Sequence, residues 1–408
     1  MLYELHELRR QFMTPLSWWA RATAELLSSP YNPLSHLPCS RRLAAGYDLL
    51  HRLGKHYEKP EFGLRSTLVD GVDTPVHEHV VLDKPFCKLL HFRRETPPHR
   101  PADPTVLVVA PLSGHHATLL RDTVRALLPE HDVYITDWVD ARMVPLSYGP
   151  FHLDDYVDYV TEFIRLLGPD LHVISVCQPT VPVLAAISLM ASAQDPKLPR
   201  TMTMMGGPID TRRNPTAVNA LAKRKSYEWF ENNVIFLVPA NYPGYLRRVY
   251  PGFLQHAGFV AMNPDRHLKS HWDYYLDLVR GDMEDAEAHR RFYDEYNAVL
   301  DLPAEYYLDT IKIVFQEHRL PNGTWEVRGR RVQPAAITSV ALFTIEGELD
   351  DISGSGQTQA AHDLCTGIPS SRKKHLTAAG VGHYGIFSGR RWREVIYPQV
   401  RDFIRRHA

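Results

Sequence analysis

Long apolar runs are missing from this sequence: no stretch reaches the roughly 18 consecutive apolar residues of a membrane-spanning helix. Charge of one sign is missing too. The 46 basic and 47 acidic side chains leave a formal net charge of −1, so nothing draws the chain as a whole to nucleic acid or to an anionic membrane. Cysteine is scarce. Cys39, Cys87, Cys177 and Cys365 stand singly, with neither a CxxC pair nor zinc spacing, which excludes a disulfide-stapled scaffold and fits a reducing compartment. The opening MLYELHELRRQF has charges among its apolar residues and no signal-peptide core, so a cytoplasmic location is expected. No internal repeat and no low-complexity tract is present.

What is there is an ordinary globular composition, 44% hydrophobic and 23% charged over 408 residues, enough for one large domain with an insertion or for two domains. Residues 1 to about 30 read as a helix, with Leu2, Leu5, Leu8, Phe12, Leu16 and Trp19 at intervals of three and four. A Pro- and Ser-rich break at 28–38 precedes a second helical stretch, RRLAAGYDLLHRLGKHYEK. The expected use of these apolar faces is packing on the main domain, with docking onto a hydrophobic particle as the alternative.

From about residue 80 strands and helices alternate. The strands are VLVVAP (106–111), DVYITDW (132–138), LHVISV (171–176) and TMTMMG (201–206); the helices are 117–128, 153–167 and 181–191. Continuous apolar strands in β-α units indicate a parallel sheet covered on both faces. The rhythm stops over 207–335, and returns with ITSVALFTIEG (337–347), a helix QTQAAHDLC (357–365), a strand KKHLTAA (373–379) and a closing helix. This is the layout of an α/β-hydrolase with a lid. The expected division is an N-terminal helical extension over 1–80, a core over 81–206 and 336–408, and a helical lid over 207–335. Between Tyr227 and Tyr307 stand 17 aromatics in 81 positions, about twice the chain average of 10%; these suit a channel for an aliphatic chain, although most are expected to form the lid's own core. The rings of WDYYLDL (272–278) and FYDEYN (292–297) are expected to face inward.

The chemistry centres on VISVCQPTVPVL, a strand, a sharp turn bearing Cys177, then a helix. A nucleophile elbow holds its nucleophile at such a turn, and the helix N-terminus favours a thiolate there. The usual G-x-S-x-G glycines are absent, their places taken by Ser175 and Pro179. An isolated cysteine of this kind is more often a buried structural residue. Two further strand ends change that reading: FTIEGELDDISG carries Asp350 and Asp351, and LTAAGVGHYGIF carries His383. Nucleophile, acid and histidine then follow in the hydrolase order at one sheet edge. Asp350 is preferred over Asp351 because it follows Gly347 by three residues. The oxyanion hole is expected from the N–H of Gln178 and that of Ser113 or Leu112 in the LSGHH loop. The adjacent His115 and His116 lack a spaced partner, and GSGQTQ (354–359) has Gln359 where a dinucleotide fingerprint needs glycine; no metal and no cofactor is expected.

These motifs resemble a known family, the intracellular poly(3-hydroxybutyrate) depolymerases of short-chain-length type. LYELHELRRQF, RLAAGYDLLHRLGKHYEKP, VVAPLSGHHATLLRDTV, VISVCQPTVPVLAA, GELDDISGSGQTQAAHDLC and GVGHYGIFSGRRWREVIYP carry the resemblance nearly end to end. It implies an α/β-hydrolase fold, attack by Cys177 with Asp350 and His383 as partners, and a substrate of native amorphous polyester granules and their oligomers in the cytoplasm. Water, or a thiol such as coenzyme A, would accept the acyl group. Polyhydroxyalkanoate synthases also use Cys, Asp and His but resemble G-x-C-x-G at the elbow. A synthase-like acyltransferase and an inactive granule-coating protein are the competing readings.

Overall fold

The computed structural model describes residues 2–37, 39–262 and 264–408; Pro38, the last residue of the early break, lies outside them. One nine-stranded sheet organises the molecule. Its strands are β1 (Ser66–Val69), β2 (Val72–Lys84), β3 (Cys87–Arg94), β4 (Thr105–Val109), β5 (Asp132–Trp138), β6 (Leu171–Val176), β7 (Thr201–Met205), β8 (Ala341–Gly347) and β9 (Lys373–Ala378). They lie in the order β1-β2-β3-β5-β4-β6-β7-β8-β9. β1 to β3 are antiparallel to their neighbours, and the six strands from β5 to β9 in that order run parallel.

The apolar runs of the central strands are consumed on both faces. Leu107, Val109 and Val173 point into a core with α4 (Leu153–Leu167) and α5 (Thr180–Ser192), while Val106, Val108, Ile174 and Val176 point to the opposite core with α3 (Arg121–Leu127). A central parallel strand has no solvated face, so alternation of polarity disappears from its sequence. A mostly parallel sheet wrapped in this strand order is the α/β-hydrolase fold.

The sheet begins earlier than expected. The border placed at residue 80 falls inside β2, and residues 66–94 add three antiparallel strands that the helical reading of 1–80 did not contain. β2 hides this because most of its residues are exposed, so neither period marks it. Between β7 and β8 the chain leaves the sheet. It forms α6 (Ala217–Arg224), α7 (Tyr227–Val234), α8 (Gly252–Met262), α9 (Pro264–Arg280), α10 (Met283–Tyr296) and α11 (Ala304–Thr310), with small antiparallel strand pairings among them. The expected helix at 357–365 is a run of turns with helix only over Ala361–Leu364, because Glu346 of β8 accepts the N–H groups of Gly356 and Gln359, each at 2.8 Å.

The N-terminal helix α1 (Leu2–Ser28) forms a hairpin with α2 (Ser40–Gly54) and corrects a second expectation. Its buried face is Tyr3, Glu7, Ser17, Ala20 and Ala24. The apolar stripe points to solvent: Leu5, Leu8, Leu16 and Leu26 are exposed, Phe12 and Trp18 each by 73% and Trp19 by 53%. The inward face is polar or small because its partners are. Tyr3 donates to Asp301 at 2.6 Å, Ser17 bonds the His51 ring at 2.8 Å, and Ala20 and Ala24 are buried, as are Ala44 and Ala45 of α2. In the lid, Tyr274, Tyr293 and Tyr296 face inward, whereas Trp272 and Phe292 are exposed. Among the described residues no helix is long and apolar enough to cross a membrane.

Candidate active site

The turn after β6 places Cys177 in a left-handed backbone conformation, φ 68°. An L-residue held there costs roughly 1–2 kcal/mol, and such strain collects at functional turns. A hydrogen bond from the Cys177 N–H to Met205 O at 2.7 Å secures the turn to the end of β7. α5 begins at Thr180, buried on nearly every side. Cys177 itself remains partly accessible.

Space for this turn comes from a place the sequence did not flag. The strand end reads Met-Met-Gly-Gly, and Gly206 and Gly207 lie against the elbow. A Cβ on Gly206 (φ 57°) would stand 2.7 Å from Ile386 Cδ1, 3.2 Å from His383 Cε1 and 3.4 Å from Asp350 Oδ2; one on Gly207 would collide with Thr180 Oγ1 at 1.8 Å. The glycine pair after β7 thus does steric work that elbow glycines usually do. Ser175 fits at the elbow because it is fully buried within β6, with its hydroxyl directed to Thr203 O at 3.3 Å.

His383 and Asp350 arrive from the ends of β9 and β8. The ring nitrogen Nδ1 of His383 donates to Asp350 Oδ2 at 2.7 Å, and Cys177 lies close enough to act electrostatically on the same ring. Asp350 Oδ1 accepts the N–H groups of Ile352 at 2.9 Å and Ser353 at 2.8 Å. Both carboxylate oxygens are therefore committed and its orientation is fixed. Asp351, the alternative acid, does not bond the imidazole and lies exposed. Burial alone would lower the His383 pKa, but the negative charges of Cys177 and Asp350 and the hydrogen bond to Asp350 outweigh it and hold it well above the ordinary value. The assembly can take a proton from sulfur, hold it on the imidazole and return it.

Of the expected oxyanion donors, Gln178 follows Cys177 directly, and Leu112 and Ser113 lie in the loop after β4. Among the described residues, none of these three N–H groups is engaged by another protein group. That loop is fastened to the insertion between β7 and β8: Leu300 N–H donates to Gly114 O at 2.8 Å, and His115 Nε2 meets Tyr296 O at 3.2 Å. The His115 ring stacks on Phe259 of α8 at 5.0 Å and approaches Tyr384, which adjoins His383, at 6.4 Å. Aromatic side chains of the insertion between β7 and β8 thus lie beside the sheet edge where the cysteine, histidine and aspartate converge. Burial pushes His115 down to about 4 and His116 down to about 3, so both are neutral near pH 7. Among the described residues no group of three or more His, Cys, Asp or Glu side chains could hold a metal ion.

Residues 206–408 match the family model described as "PHB de-polymerase C-terminus". The match contains Asp350 and His383, and Cys177 precedes it. No curated protein matches the chain. Solved structures similar to it include a monoacylglycerol lipase of Paleococcus ferrophilus (12% identity, 75% of this chain and 97% of that one, TM-score 0.43). Others are a carboxylesterase of Nitrososphaera gargenis (12%, 82% and 100%, 0.44) and an esterase of Thermogutta terrifontis (11%, 82% and 99%, 0.42). The match takes in two of the three candidate residues and the whole insertion between β7 and β8, and the chain belongs to the PHB depolymerase family and is a hydrolase acting on esters.

Proposed function

We propose that the protein cleaves poly(3-hydroxybutyrate) through a covalent 3-hydroxyacyl thioester on Cys177. The observation that carries this reading is the hydrogen bond from His383 to Asp350, with Cys177 on its left-handed turn acting on the same ring, in a chain of this family. His383 takes the thiol proton, and the sulfur attacks an ester carbonyl carbon. The resulting oxyanion sits against the N–H of Gln178 and one from the Leu112–Ser113 loop. Collapse breaks the C–O bond, and the proton on His383 passes to the departing alkoxide, freeing a hydroxyl-ended chain. Water then gives His383 a proton while its oxygen attacks the thioester, releasing a 3-hydroxy acid and restoring the thiol. A thiol such as coenzyme A would release a new thioester by the same route.

We further assign the stripe of Leu5, Phe12, Trp19 and Leu26 on α1 to contact with cytoplasmic polyester granules. Burying one such side chain in apolar matter yields roughly 1.5–3 kcal/mol, and the stripe projects outward where a solid substrate can reach it. The purified protein is expected to release 3-hydroxybutyrate from amorphous polymer granules. No release, together with consumption of a 3-hydroxyacyl-CoA, would favour the acyltransferase reading instead. Phe12→Asp combined with Trp19→Asp is expected to slow release from granules about tenfold or more, while turnover of a soluble oligomer holds. Equal losses on both substrates would remove the stripe from substrate contact.

A further inference from the structure

The residue after the nucleophile carries a side chain that no step above uses. Gln178 is only 8% exposed, and both Oε1 and Nε2 are buried with no hydrogen-bond partner among the described residues. Buried carboxamides are almost always paired, because a lost bond to water must be replaced. Packing alone would be served by methionine or leucine. Gln357 and Asn219, buried carboxamides near β8, each have one of their two polar atoms paired, Gln357 Nε2 donating to Asn219 Oδ1 at 2.8 Å, whereas Gln178 has neither paired. Gln178 is thus built to meet something other than the protein, one residue from the thiol.

The chemistry of the carboxamide limits what that can be. Nε2 donates and Oε1 accepts. A run of ester units offers acceptors only, so it satisfies Nε2 and leaves Oε1 bare. A hydroxyl end supplies the missing donor. When the terminal unit is the acyl group on Cys177, its 3-hydroxyl stands two carbons from the thioester carbonyl, close to the neighbouring residue. We infer that Gln178 forms a subsite for the free 3-hydroxyl end of the polyester chain, accepting that O–H on Oε1 and donating from Nε2 to an ester oxygen. The enzyme then removes units from hydroxyl ends. This rests on the reading of Cys177 as the acylated residue.

The test compares a soluble 3-hydroxybutyrate trimer methyl ester bearing a free hydroxyl with the same trimer O-acetylated. The intact protein should favour the free form in kcat/KM by about tenfold or more, as expected for a buried site that pairs a substrate hydroxyl. In Gln178→Met, which keeps the backbone N–H and the side-chain volume, that preference should fall to within about twofold of unity. A purely structural role would lower both rates and leave their ratio intact. Equal cleavage of the two trimers by the unaltered protein overturns the inference while leaving the depolymerase reading in place, and it does so whether or not the variant folds. Cleavage of neither trimer, with granules also untouched, overturns both.

Discussion

Cys177→Ala is expected to lower release of 3-hydroxybutyrate by roughly 10⁴-fold or more, the scale seen when a covalent nucleophile is removed. The expectation follows from position as well as chemistry. The sulfur sits on a turn of the sheet edge whose backbone is held left-handed and whose N–H is bonded to Met205 O, and it acts electrostatically on the buried His383 ring. Alanine retains the Cβ and the strained φ, so the fold and its thermal midpoint should change little. Removing sulfur leaves no other thiol to substitute, because Cys87 and Cys365 are buried elsewhere and Cys39 lies beside α2. A variant that keeps most of its activity would require a different nucleophile altogether.

Asp350→Asn is expected to cost about 10³–10⁴-fold in kcat, with granule binding preserved. In the unaltered protein the carboxylate can only accept, which fixes the proton on Nδ1 of His383 and leaves Nε2 free to take the thiol proton. An amide nitrogen facing Nδ1 reverses that choice and puts the proton where Cys177 needs a base. The same substitution should change stability in a pH-dependent way. The His383 pKa is raised in the fold, so its charged form contributes stability that is fully present below the unfolded value of about 6.5 and fades as pH rises through the folded value. Removing Asp350 takes away one of the raising charges. The loss in thermal midpoint should therefore be larger at pH 6 than at pH 9. A loss that does not vary with pH would show that Asp350 acts through its bonds to Ile352 and Ser353 alone.

The parts legible in the sequence were those in which local pattern and tertiary role coincide. β4, β6, β7 and β8 read clearly because strands covered on both faces are apolar throughout. Cys177 and Asp350 stood out because each follows such a strand, and His383 because it completes their order after the edge strand β9. Other features depend on surroundings that no local window contains. β2 carries exposed charges and histidines with little alternation, so its place in the sheet comes from pairing with β3. The α1 periodicity was visible but its direction was not, since Asp301 and His51, partners from distant positions, decide which face turns inward. The roles of Gly206 and Gly207 emerge only once Ile386, His383 and Thr180 surround them. Met-Met-Gly-Gly at a strand end, beside an elbow lacking its own glycines, was the available signal.

Mass analysis of Cys177 during turnover shows whether the thiol carries the acyl group. The protein is mixed with a 3-hydroxybutyrate oligomer, quenched in acid within the first turnovers and digested. The peptide bearing Cys177 is expected to gain the mass of one or more 3-hydroxyacyl units, the adduct to accumulate in His383→Ala only in trace amounts, and hydroxylamine to remove it as a thioester. Active protein whose Cys177 peptide never carries an acyl group, while another residue does, would contradict Cys177 as the nucleophile.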